Sequence, residues 1–151
     1  TCEVDAKDAP ALLERLRDRH GYAHLSFFTA TDLIEKGVFM LTYMLHNPGE
    51  RHSLGLKCAI PREGATMEST HLLWKQMWTY QRELKELFGI DFPGSPRVDE
   101  SFVLEGWAEI PPMRRDFDTR AYSERTFPTR PGRETRDPTA HMKEKLYPEA
   151  E

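Results

Sequence analysis

The sequence predicts an α+β fold, an antiparallel or mixed sheet packed with helices and followed by an extended C-terminal segment and tail. Three observations carry this. Three aromatic and branched segments recur between residues 22 and 60, two of them joined by an Asn-Pro-Gly turn signal. A long apolar stripe at helical spacing follows them. From Thr119 the composition turns polar, charged and proline-rich.

The first element is a short helix over Ala11 to Arg19, where Leu12, Leu13 and Leu16 share one face and Gly21 stands just past the end. Strands are predicted over Tyr22 to Thr29 and Val38 to Leu45. A third is marked by Leu54, Leu56, Cys58 and Ile60, which alternate with Gly55, Lys57 and Ala59 in the period-two pattern of a half-buried strand. His46-Asn47-Pro48-Gly49-Glu50-Arg51 lies between the second and third and makes them an antiparallel hairpin. Pro61 closes the third strand, and Ser69 or Thr70 is placed to cap the helix after it. Along that helix Leu73, Met77, Tyr80, Leu84 and Leu87 recur at steps of four and three, with Trp74 and Trp78 widening the face. Gly89 then stands where a left-handed cap is needed, and Ile90 can fold back on Leu84.

Asp91 to Phe117 holds four prolines and two glycines among Phe92, Val98, Phe102, Val103, Leu104, Trp107, Ile110 and Met113. Too apolar for a solvated loop and too broken for a helix, it reads as an extended segment packed on something. Arg120 to Glu151 carries seven Lys/Arg, six Asp/Glu and four prolines, which cannot close a core of its own. The division expected is therefore a domain over residues 1–119 and a tail over 120–151 that wraps a partner or stays in solvent.

A chain of 151 residues has room for one ordinary core. Its 21 Lys+Arg against 25 Asp+Glu are interspersed and sum to a net charge of −4, which argues against a nucleic-acid footprint. No apolar run is long enough to span a bilayer, and the first twenty residues lack a secretory pattern, so a cytosolic setting is expected. Cys2 and Cys58 are far apart and form no ligand pair. Any redox cofactor would sit on a partner.

Candidate chemistry is sparse. His20 and His24, and His46 and His52, invite a metal reading, but Gly21 splits the first pair and no carboxylate or thiolate completes either set. Glu83 and Glu86 lie one turn apart and could act as acid and base; the plainer alternative is a solvated face with an Arg82 to Glu86 ion pair. No nucleophile elbow, phosphate loop or dinucleotide glycine motif is present. Arg114-Arg115-Asp116, after Pro111-Pro112, is either a charged turn or an anchor for an acidic or carbonyl-rich surface through forked hydrogen bonds.

In order along the chain come Ser69-Thr70-x-x-Leu73-Trp74, Trp78, Arg82-Glu83-x-x-Glu86-Leu87-Phe88-Gly89-Ile90, Phe92-x-Gly94-x-Pro96, Leu104-x-Gly106-Trp107 and Pro112-Met113-Arg114-Arg115-Asp116-Phe117. That order resembles the 30 kDa subunit, or C subunit, of NADH:quinone oxidoreductase, respiratory complex I, over roughly Tyr22 to Thr119. The chain departs from the family pattern at Gln81 and Glu86, where Glu and Asp are usual, and at Ser95 and Arg97, in place of His and Asp.

The resemblance implies an α+β subunit without its own cofactor or active site, a non-catalytic part of an oxidoreductase that translocates protons. FMN, iron–sulfur clusters and quinone would be held by partner subunits. It would sit peripherally in the hydrophilic arm on the cytoplasmic side of the cell membrane, packed on the quinone-site (49 kDa-like) subunit. The contact is expected from Arg82, Glu83 and Glu86 at the helix end, from Phe92, Pro96 and Trp107 in the extended segment, and from Arg114, Arg115, Asp116 and Phe117 at its close. The equivalent small subunit of a membrane-bound nickel–iron hydrogenase or formate hydrogenlyase is similar. A stand-alone enzyme using Glu83 and Glu86 and a free-standing binding module are the readings from other classes.

Overall fold

A computed structural model describes residues 1–127. The first compact unit is Thr1–Phe117; the described part of a second begins at Asp118. The elements are β1 (Cys2–Asp5), α1 (Ala9–His20), β2 (His24–Leu33), β3 (Val38–Asn47), β4 (His52–Pro61), α2 (Met77–Phe88) and α3 (Thr119–Thr126), with a single 3₁₀ turn between β2 and β3.

The strands form one sheet in the order β1-β4-β3-β2, antiparallel except where β1 joins β4 in parallel. The fold is therefore α+β with a mixed sheet, as the sequence predicts. β1 is an addition: Cys2-Glu3-Val4-Asp5 shows no apolar run and becomes a strand through pairing along the edge of β4. β2 also runs four residues beyond the Thr29 expected, to Leu33.

β3 alternates strictly, burying Phe39, Leu41, Tyr43 and Leu45, which meet Leu25, Phe28 and Ala30 of β2 and Leu56, Cys58 and Ile60 of β4. Against this core α2 sets Met77, Leu84 and Phe88, and α1 sets Ala9 and Leu13. Phe28 stacks on Tyr43 at 4.4 Å, and Phe88 meets Phe39 edge-on at 5.9 Å. In the hairpin turn the Asn47 side chain accepts from the N–H of Gly49 and Glu50 and donates to the carbonyl of His20, tying the turn to the end of α1.

The expected helix start is corrected. α2 begins at Met77, not after Ser69 or Thr70, and the residues before it form turns. Side chains explain why. Trp74 donates its indole N–H to the carbonyl of Ala23 at 2.8 Å, and Gln76 donates to Leu25, so this stretch is tied to the start of β2 as separate turns rather than as a continuous helix. Ser69 does not cap; its hydroxyl donates to Gln81 at 2.7 Å. At the other end Gly89, at φ 76°, donates to Leu84 and Lys85, and Ile90 folds back on Leu84 into full burial.

Beyond Gly89 the segment packs first on its own chain. Phe92 is fully buried against Phe28, and Asp91 pairs its backbone with Ala65 and Met67. The N–H of Met113 returns to the carbonyl of Leu87. In the second unit Asp118 caps α3 by accepting from the N–H of Ala121 at 2.9 Å, so the tail expected from Arg120 starts with a helix. The rest of that tail, from residue 128, lies outside the described residues.

Candidate partner interface

The expected contact residues fall into three groups, each placed by a different device. At the end of α2, Glu86 uses both carboxylate oxygens on backbone N–H groups, Phe102 at 2.7 Å and Val103 at 2.8 Å. Burial works against its charge, but the N–H groups of Val103, Phe102 and Leu104 and the Arg82 guanidinium outweigh it and hold the carboxyl below the usual range. A carboxylate so occupied is not half of an acid–base pair with Glu83. The Arg82 to Glu86 ion pair does not form either; Arg82 lies against Phe102, 5.2 Å from the ring centroid, and Trp78, at 6.0 Å.

In the segment itself Phe92 leaves no surface for a partner, whereas Pro96 is exposed in the turn after Gly94. Trp107 donates its indole N–H to Ile110 and meets Phe117 edge-on at 5.5 Å. On the same segment Val103, Ile110 and Met113 are exposed, at 66%, 47% and 55%.

The third group is a charged clasp. Arg62, just past β4, reaches Asp32 on β2 and also Asp116, at 2.6 Å. The backbone N–H of Arg115 donates to Asp32 at 2.9 Å while its guanidinium pairs with Glu35. Arg114 lies over the Phe39 ring at 5.6 Å and pairs with Asp116 at 3.5 Å. Burial alone would raise the pKa of Asp32; the hydrogen bonds from Arg62 and from the Arg115 N–H hold it below the usual carboxylate range. Asp116 is lowered chiefly by its hydrogen bond from Arg62. So the first partners of Arg114, Arg115 and Asp116 lie within this chain.

Asp32, Glu35 and Arg62 hold this group in place and escape the sequence reading. A signal for Asp32 exists, since it continues the buried face of Phe28 and Ala30 and a buried carboxylate needs a cation. Which of the chain's cations answers it depends on strand order. A second clamp, Lys85 to Asp91 and Asp99, holds the start of the segment to α2.

Among the described residues no group of three His, Cys, Asp or Glu side chains could hold a metal ion, and no helix is long and apolar enough to cross a membrane. The buried Cys58 thiol is pushed up to about 11 by desolvation, the mark of a core residue rather than a nucleophile.

The fold is thus a small α+β domain whose polar side chains, at Glu86 and around Arg62, hold a long non-helical segment to the sheet and to α2. The chain belongs to the family described as "Respiratory-chain NADH dehydrogenase, 30 Kd subunit", whose model matches residues 2–123. It is 26% identical over 118 residues to the C subunit of the NADH-quinone oxidoreductase of Citrifermentans bemidjiense, covering 78% of this chain and 73% of that one. It is 27% identical over 115 residues to the C/D subunit of the NADH-quinone oxidoreductase of Pseudomonas fluorescens, covering 76% of this chain and 19% of the relative. Among solved structures, a chain of the membrane-bound sulfane sulfur reductase, an archaeal respiratory membrane complex, shares the fold at a TM-score of 0.73 and 24% identity, over 83% of this chain and 75% of that one.

Proposed function

We propose that the chain is a non-catalytic structural subunit in the hydrophilic arm of a proton-translocating NADH:quinone oxidoreductase. On this reading it packs against the quinone-site, 49 kDa-like subunit. Its mechanism is positional: by burying its clasped segment against that neighbour, it keeps the path from iron–sulfur clusters to quinone rigid. FMN, the clusters and the quinone belong to partner subunits, and the arm lies peripherally on the cytoplasmic side of the membrane.

The observation that carries this reading is the clasped segment with its outward Val103, Ile110 and Met113, in a chain of this family. A monomer gains nothing by fixing such side chains in water; a subunit with a neighbour does. The Pseudomonas fluorescens relative supports a standing neighbour. There the region like this chain is about a fifth of a longer chain named C/D, which tethers it to the remainder. The occupied carboxylate of Glu86 speaks against the stand-alone enzyme.

The test is affinity purification of this chain from native membranes in mild detergent, with mass spectrometry of whatever stays bound through gel filtration. A flavin- and cluster-bearing module with a quinone-site subunit is the expected result. Nickel in the co-purified large subunit would move the chain to the hydrogenase branch, and a lone monodisperse chain would refute the reading.

A further inference from the structure

Helix α2 sets Trp78, Arg82 and Glu86 one turn apart in succession. An arginine at that spacing ordinarily pairs with the glutamate four residues on. Here Glu86 is taken by the backbone of Phe102 and Val103, and the guanidinium is left to the rings. Arg97 approaches the same Trp78 ring, at 5.6 Å, but carries its own ion partner in Glu100. Arg82 forms no ion pair with any described residue. Its Nε is buried without a hydrogen-bond acceptor among the described residues. Glu86 and Glu100 feel the charge without touching it.

Rings against a guanidinium cover its faces and leave its edge, where the N–H groups point. A guanidinium whose Nε is buried without an acceptor is under-satisfied in the isolated chain, and an incoming carboxylate relieves that. We infer that Arg82 is a docking anchor, placed by Trp78 and Phe102 to take a carboxylate from the neighbouring chain of the assembly. The inference rests on the docking function proposed above and names the chemistry of one contact within it. A carboxylate fits better than a phosphate. The fork of N–H groups matches two carboxylate oxygens, and Glu83, Glu86, Asp99 and Glu100 crowd the same stretch, which disfavours a doubly charged group.

The complex is purified from native membranes with either the wild-type chain or Arg82→Gln, and recovery of the large subunits bound to this chain is compared at low and raised sodium chloride. Arg82→Gln is expected to lower recovery by about tenfold or more while the isolated chain melts as wild type. Equal recovery overturns the inference. Should Arg82→Gln melt early, a second variant decides. In Arg82→Lys, a carbodiimide joins an amine to a carboxylate in ion-pair contact, and Lys85, which already touches Asp91 and Asp99, is the internal control. A link from position 82 to an Asp or Glu of another chain supports the anchor; a link only to this chain's own carboxylates, or none, overturns it. A wild-type chain recovered alone overturns the docking function and the anchor together, whereas equal wild-type and variant complexes overturn the anchor only.

Discussion

Arg62 grips Asp32 with two nitrogens, Nε to Oδ1 at 3.0 Å and Nη2 to Oδ2 at 3.2 Å, across thirty positions of sequence. β2 and β4 flank β3, so the pair closes over Phe39, whose ring lies 5.8 Å from the Arg62 guanidinium carbon. The Asp32 side chain is only 2% exposed. Removing Asp32 leaves Arg62 with Asp116 alone and the Arg115 N–H without its acceptor, which costs about 3 kcal/mol. Asp32→Ala is therefore expected to lower the free energy of unfolding in urea melts by that much. A loss under about 0.5 kcal/mol would give the pair the worth of an exposed one and refute the clasp.

The same carboxylates set the response to acid. Asp32 is buried but outweighed by Arg62 and the Arg115 N–H; Asp116 is lowered first by Arg62, and Asp91 first by Lys85. Each has a folded pKa below its unfolded value, so in the acid range the unfolded chain binds more protons and stability rises with pH. The contribution is complete above the ordinary carboxylate pKa of about 4 and is lost as pH falls through the folded values. Thermal midpoints are expected to hold from about pH 7 to about pH 5 and to fall below that. Asp32→Asn should flatten the acid limb; a midpoint that stays level down to about pH 3 would show that these groups carry no linkage.

Arg114 and Arg115 are neighbours in sequence but not in role. The Arg115 guanidinium pairs with Glu35 at the surface, both side chains more than half exposed, so Arg115→Glu should cost no more than about 1 kcal/mol of stability. Arg114 is 21% exposed, lies over Phe39 and faces Asp116. Arg114→Glu would set a carboxylate beside another carboxylate over an aromatic face. It is expected to destabilise the isolated chain by about 2 kcal/mol or more. Denaturant melts separate the two, and assembly assays on Arg115→Glu then test the interface without a folding defect. Equal melts for both variants would contradict the division.

Where the signal was local, the sequence was legible. The alternation at Leu54, Leu56, Cys58 and Ile60, the Asn47 turn, the Leu84 face and the Gly89 cap each depend on residues a few positions apart, and all stand in the structure. The start of α2 was not legible, because the Trp74 indole is claimed by a carbonyl 51 residues away. Nor could the sequence show that Glu86 serves the backbone of Phe102, or that Asp32 belongs with Arg62 and Arg115, since strand order decides those meetings. The apolar excess of residues 91–117 was visible, but not how Phe92 and Val103 divide between core and surface.

Tyr43 poses a different test. It is fully buried and stacked on Phe28, and its hydroxyl has no hydrogen-bond partner among the described residues. A buried hydroxyl in that state opposes folding, so Tyr43→Phe keeps the stack and is expected to leave stability unchanged or raise it by up to about 1 kcal/mol. A loss of more than about 1 kcal/mol in denaturant melts would reveal an acceptor or a buried water at that site.

Gly89 links the helix cap to the clasped segment. Its φ of 76° alone disfavours any side chain by about 1 to 2 kcal/mol. A Cβ there would also stand 3.3 Å from Pro111 Cγ and 3.7 Å from Arg114 Nη1, so Gly89→Ala pushes on the segment that Met113 ties to Leu87. Gly94 has nearly the same conformation, φ 79°, with nothing within 4 Å of its would-be Cβ. Gly94→Ala should therefore show the conformational cost alone. Gly89→Ala should show that cost together with faster hydrogen exchange at the Met113 amide. Equal exchange in the two variants would mean that the segment yields around Pro111 without loosening its hold on α2.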